Sequence, residues 1–177
     1  MKEKQIEKAV YDLLIAINED PNREGLIDTP KRVAKMYQEL LTPEEIKYTT
    51  FQDNYDDVIL IKDIEFTSMC EHHLMPFYGV AHIAYIPNEK IIGLSKIARV
   101  VEKHSKRLQV QERMTNDILN ELKNKLNTDN IAIYIEAKHM CMIARGVKKE
   151  LSKTITVKLN GIFKTDKKAD FYNLINH

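Results

Sequence analysis

Only two cysteines occur in the 177 residues, and each sits beside histidine, in Cys70-Glu71-His72-His73 and in His139-Met140-Cys141. Zinc takes cysteine sulfur and histidine nitrogen in tetrahedral geometry, and a catalytic zinc keeps one position open for water. If the two clusters meet, they form a Cys, Cys, His site with an open fourth position. The fold must then bring together segments separated by most of a domain. Two buried thiols with hydrogen-bonded histidines would use the same residue types. The pairing of Cys with His in both places favours the metal. A disulfide belongs to an oxidising compartment, of which the chain carries no sign.

Cys70 and His73 span one turn, a natural chelate spacing, so the metal is assigned to Cys70, His73 and Cys141. His72 and His139 remain as unligated imidazoles suited to acid/base work near neutral pH. Residues two apart on a strand share a face, so His139 and Cys141 are expected to project together. A second constellation is cationic. Lys96, Arg99, Lys103, Lys106, Arg107 and Arg113 lie between Ser95 and Arg113, against only Glu102 and Glu112. Lys96 and Arg99 fall on one face next to Ser95, the expected N-cap, and a helix start with nearby cations attracts phosphate. Arg145 adds a cation near Cys141. For Lys103, Lys106 and Arg107 a solvated helix face is the simpler reading.

The length suits one domain with an appendage. Residues 1–50 read as an N-terminal helical region and 51–177 as the main domain. Ile6, Val10, Leu13, Leu14 and Ile17 recur at helical spacing, and Val33, Met36, Tyr37 and Leu40 mark a second helix opening at Thr29-Pro30. Thr42-Pro43-Glu44-Glu45 repeats that start signal as a capping box. Strands are expected at Val58 to Phe66, Phe77 to Ile86, Ile131 to Ile135 and Thr154 to Leu159, with two helices between the second and third. The first helix carries Ile97, Val100, Val101 and Leu108 inward, the second Met114, Ile118, Leu119, Leu122 and Leu126. This order predicts an α+β fold, an antiparallel four-stranded sheet with two helices on one face. Its free edges favour oligomerisation. A net charge of +1 gives no electrostatic case for nucleic acid or an anionic membrane. With no apolar leader or span, a cytoplasmic protein is expected.

Cys70-Glu71-His72-His73, Gly93-Leu94-Ser95-Lys96-Ile97-Ala98-Arg99, Gln109-Val110-Gln111-Glu112-Arg113 and His139 to Val147 closely resemble, in order, the motifs of GTP cyclohydrolase I. Asp28 to Tyr37 is similar to that family's N-terminal helix. The likeness runs from about Ile6 to Lys164, with Leu108 standing where the family commonly has Pro. It implies a tunnelling fold assembled as a toroidal homodecamer with sites at subunit contacts. It also implies conversion of GTP and water to 7,8-dihydroneopterin triphosphate and formate, at the entry to folate or pterin synthesis. By position, Cys70, His73 and Cys141 would hold zinc, and His72 and His139 would be the proton-transfer pair. Glu112 would hold the guanine edge, with Gln111 beside it at the substrate. Ser95, Lys96, Arg99 and Arg145 would face the triphosphate, with Arg32 and Lys35 as helpers.

Two other classes fit less well. A structural zinc module needs a closed set of four ligands, and three are visible. A zinc deaminase shows Cys-x-x-Cys and His-x-Glu, and neither occurs here.

Overall fold

The computed structural model describes residues 1–176, and the chain divides into two compact units, Met1–Thr42 and Pro43–His177. In the first unit α1 (Glu3–Ala16) packs on α2 (Thr29–Leu41). Asp28 rather than Thr29 is the N-cap of α2, and Pro30 falls in its first turn, where a missing N–H costs nothing. Leu14 and Ala34 are the buried positions, while Leu13, Ile17 and Met36 of the expected stripes are exposed. Two helices alone offer too little surface to cover both apolar faces.

In the second unit the helix expected from Thr42-Pro43-Glu44-Glu45 does not form. Thr42 is extended, and residues 43–49 carry no regular structure. Ile46 and Tyr48 instead pack against the core, and the Tyr48 hydroxyl donates to Glu121. This tertiary burial outweighs a local capping preference. The chain continues through β1 (Thr50–Gln52), β2 (Ile59–Cys70), β3 (Pro76–Tyr85), β4 (Lys90–Ile92) and α3 (Leu94–Ser105). It then runs through β5 (Leu108–Gln109), α4 (Gln111–Leu126), β6 (Ile131–His139), α5 (Met140–Ile143) and β7 (Thr154–Leu159). A 3-10 turn, Gly161–Lys164, and α6 (Lys168–Asn176) close it. Gly93, not Ser95, caps α3, so Ser95 lies inside the first turn.

Strands β2, β3, β6 and β7 form the expected antiparallel four, and β5 adds a short fifth strand parallel to β2, in the order β5-β2-β3-β6-β7. Leu108 therefore starts β5 and is exposed, instead of facing inward from α3. The helix has already ended at Ser105, whose carbonyl accepts the Ser68 hydroxyl at 2.7 Å. A separate ribbon pairs β1 with β4.

Alternation places Phe77, Ala81, Ile83 and Tyr85 of β3 on one face, under Ile97, Val100 and Val101 of α3 and Met114, Ile118 and Leu122 of α4. The two helices thus share one face, as the sequence predicts. Phe163 and Phe171 cover Ala84 and Ala132 on the other. Burying each such phenylalanine is worth about 1.5–3 kcal/mol. Antiparallel register then gathers the end of β2, the start of β3, the end of β6 and the start of β7 at one end of the sheet. Among the described residues no helix is long and apolar enough to cross a membrane.

Candidate active site

Strand β2 ends in a closed turn. The Cys70 N–H donates to the Met75 carbonyl at 2.8 Å, and the Leu74 N–H to the Cys70 carbonyl at 2.9 Å. Leu74 takes a left-handed conformation, φ 52°, to complete it. The turn brings His73 Nδ1 to 3.8 Å and His72 Nδ1 to 4.0 Å from the Cys70 sulfur. Across the sheet, β6 stops at His139 and a single helical turn follows. This corrects the expectation that His139 and Cys141 share a strand face. The turn carries Cys141 to Cys70, while the His139 ring stacks on Phe77, centroids 4.7 Å apart and 1° from parallel.

The donor atoms of Cys70, His73 and Cys141 lie within 4.8 Å of one another, and no fourth protein donor joins them among the described residues. Both cysteines are free. Zinc bonds of about 2.0–2.3 Å in a tetrahedron set donors about 3.3–3.8 Å apart. The trio matches zinc in chemistry and nearly in spacing. Burial, and then the neighbouring Cys70, push the Cys141 thiol up, a repulsion that a bound cation would relieve. Burial also pushes His139 down, opposed by the charge of Glu112, so the imidazole stays neutral near pH 7.

The other predicted residues divide by position. Gln111 and Glu112 open α4 at this end of the sheet, the first buried and the second exposed. Gln111 Oε1 lies 2.9 Å from His139 Nε2. Arg145 is exposed, and its charge reaches Cys141. Ser95, Lys96 and Arg99 are not brought to the trio by this chain alone. The bond from Ser68 places the C-terminal end of α3 near the Cys70 turn. At 1.5 Å per residue, Ser95 is about 15 Å along the helix from Ser105. Arg99 instead borders a small hollow with Glu44, Glu45 and Glu102. Arg32 and Lys35 lie on α2 in the first unit, where Arg32 pairs with Asp28 at 3.3 Å.

The sequence profile of GTP cyclohydrolase I matches residues 6–176. The chain belongs to the GTP cyclohydrolase I family. It is 52% identical to GTP cyclohydrolase 1 of Streptococcus mutans, covering 99% of this chain and 95% of that protein. It is 51% identical to GTP cyclohydrolase 1 of Bacillus subtilis strain 168, covering 96% and 92%. The Clostridium kluyveri protein of the same name is 51% identical over 99% of this chain and 96% of its own length.

Three contributors to this GTP cyclohydrolase I site escaped sequence reasoning. Arg113 grips Glu71 within the turn after β2. Phe77 supplies the surface on which His139 stacks. Thr156 of β7 reaches the Gln111 amide. Glu71 and Arg113 both lie inside the recognised motifs, and opposite charge was their one available signal. Phe77 and Thr156 look like ordinary strand residues until the register is known.

Proposed function

We propose that this enzyme converts GTP and water to 7,8-dihydroneopterin triphosphate and formate in pterin and folate synthesis, with zinc held by Cys70, His73 and Cys141. The observation that carries this reading is the open three-donor trio flanked by two imidazoles outside it. The names of the relatives support the choice of GTP. When bound, zinc supplies Lewis acidity at neutral pH.

The chain's own residues do the rest. His72 and His139 move protons, one of them at N7 of the purine, as its imidazole ring opens. They serve again as the ribose rearranges before closure to the pterin. Glu112 accepts from the N1–H and 2-amino group of guanine, a pairing adenine cannot offer. Ser95, Lys96, Arg99 and Arg145, helped by Arg32 and Lys35, bind a triphosphate whose charge needs several cations and a helix start. Because the start of α3 lies far from the trio in one chain, a complete site draws these groups from neighbouring copies. A toroidal homodecamer with sites at subunit contacts meets that need.

The test is to incubate zinc-loaded protein with GTP, assaying formate together with pterin fluorescence after oxidation. One formate per pterin is expected, and Cys141→Ser should lose metal and both products together. Formate without pterin, or full turnover by a metal-free variant, would overturn the reading.

A further inference from the structure

Gln111 is 1% exposed, although it is a polar residue at a helix start. Its Nε2 lies 3.1 Å from each of three oxygens, the carbonyls of Ile135 and Thr154 and the hydroxyl of Thr156. Carbonyls only accept, so this end of the amide must be the NH₂ group and the other end the oxygen. That oxygen sits 2.9 Å from His139 Nε2. An amide oxygen carries no hydrogen, so the proton between them belongs to His139 Nε2.

The neighbouring hydroxyls agree with this assignment. Thr115 Oγ1 donates its one hydrogen to the Gln111 carbonyl at 2.8 Å. The 2.7 Å contact between Thr115 and Thr156 must then use the Thr156 hydrogen. Thr156 Oγ1 is left to accept from the Gln111 amide. Both hydroxyl protons and the His139 Nε2 proton thus have one place, while the two Gln111 amide hydrogens are shared among three acceptors. Phe77, stacked flat on His139, fixes the plane of the ring as well.

We propose that Gln111 is a positioning residue that fixes the His139 proton on Nε2, leaving Nδ1 as the nitrogen that exchanges protons with substrate. Its side chain then makes no contact with the nucleotide, contrary to the substrate-binding role the sequence suggested. The inference rests on the proton-transfer role of His139 proposed above. Gln111 can act on the reaction because the alternative tautomer would set two lone pairs against each other at 2.9 Å. It would also present an N–H where a base is needed.

The experiment is magic-angle-spinning ¹⁵N NMR of the zinc-loaded protein with ¹⁵N-histidine, His139 being assigned by difference from His139→Asn. The unmodified protein should show a protonated Nε2 and a bare Nδ1 at His139, and a protonated Nδ1 there with bare Nε2 overturns the proposal. Gln111→Met should mix the tautomers and lower kcat by roughly 100-fold, the low end of what a positioned acid/base contributes, with KM for GTP unchanged. Thr156→Val, which removes only one of three acceptors, should do the same more weakly. A Gln111→Met enzyme with raised KM and parental kcat would make Gln111 a nucleotide contact and overturn the inference. If His139→Asn keeps full kcat, the proton-transfer reading fails, while the NMR result still decides whether Gln111 sets the tautomer.

Discussion

Arg113 holds Glu71 through both terminal guanidinium nitrogens, Nη1 at 2.6 Å from one carboxylate oxygen and Nη2 at 3.1 Å from the other. Glu71 lies between Cys70 and His72, and Arg113 lies one residue beyond Glu112, so the pair ties the turn after β2 to the start of α4. The Arg113 guanidinium keeps the Glu71 carboxyl below its ordinary range, and the backbone bond from the Glu71 N–H to the Gln109 carbonyl, 3.1 Å, reinforces the join.

Arg113→Ala should therefore separate two properties. Exposed ion pairs add little to global stability, so the melting temperature should barely move. Zinc affinity, measured by competition with a chelator, should fall about 10-fold, as for other groups that orient a metal's ligands. Unchanged zinc affinity would reduce the pair to surface charge.

Glu112→Gln tests how the base is read. Guanine presents two donors on one edge, and a carboxylate accepts both. Glutamine offers one acceptor and sets its NH₂ against the second donor. Losing a charge-assisted bond and leaving a donor unmet costs about 3 kcal/mol, or about a hundredfold in kcat/KM for GTP. Zinc content and oligomer size should stay parental. A variant that processes GTP at the parental kcat/KM would remove Glu112 from the base-reading role.

Much of this was legible because the residues concerned are scarce or strongly patterned. With two cysteines in the chain, a Cys/Cys/His trio had one pair of thiols to draw on. Thr154–Leu159 alternates cleanly and is β7 to the residue. The turn at Met140–Ile143 was hidden because an apolar run after a strand carries no breaker. Strand β5, at two residues, is too short for any period. The resemblance sets Gln111 beside Glu112 at the substrate, and only the pairing of β6 with β7 supplies the carbonyls that bury it.

Gly79 faces Ala137 in the β3–β6 pairing, two residues from the Phe77–His139 pair. A Cβ there would run into the Glu136 carbonyl oxygen and come 2.7 Å from Ala137 Cα. These are backbone atoms, so the strands themselves must part. Gly79→Ala should cost about 1–3 kcal/mol, as overpacking does, and lower the melting temperature by about 2–4 °C per kcal/mol. kcat should fall as the His139 ring is displaced. Calorimetry beside steady-state kinetics checks both, and a parental melting temperature would show that the strands absorb the methyl group.

Glu121 offers a test by pH. Its side chain, 13% exposed, accepts from Lys103 Nζ at 2.8 and 2.9 Å, from His104 Nε2 at 2.6 Å and from the Tyr48 hydroxyl, joining α4 to α3 and to the segment before β1. Burial alone would raise this carboxyl, but the bonds from Lys103, Tyr48 and His104 outweigh it and hold the group below its ordinary 4.5. The folded state then binds its proton less readily than the unfolded chain does. The stability contributed by ionised Glu121 is present above the unfolded value and is lost as pH falls through the folded one. Burial likewise pushes His104 below its ordinary 6.5, so it resists protonation in the fold and adds a loss of the same sign beginning at higher pH. Denaturant unfolding from pH 7 to 3.5 should show stability declining first below about pH 6.5 and more steeply in the carboxylate range. Glu121→Gln keeps an acceptor for Lys103 and Tyr48 but cannot ionise. It should be less stable at pH 7 and flatter below pH 5, converging on the parent at the acid end. Parallel curves for the two proteins would mean that the fold does not hold the Glu121 carboxyl below its ordinary value.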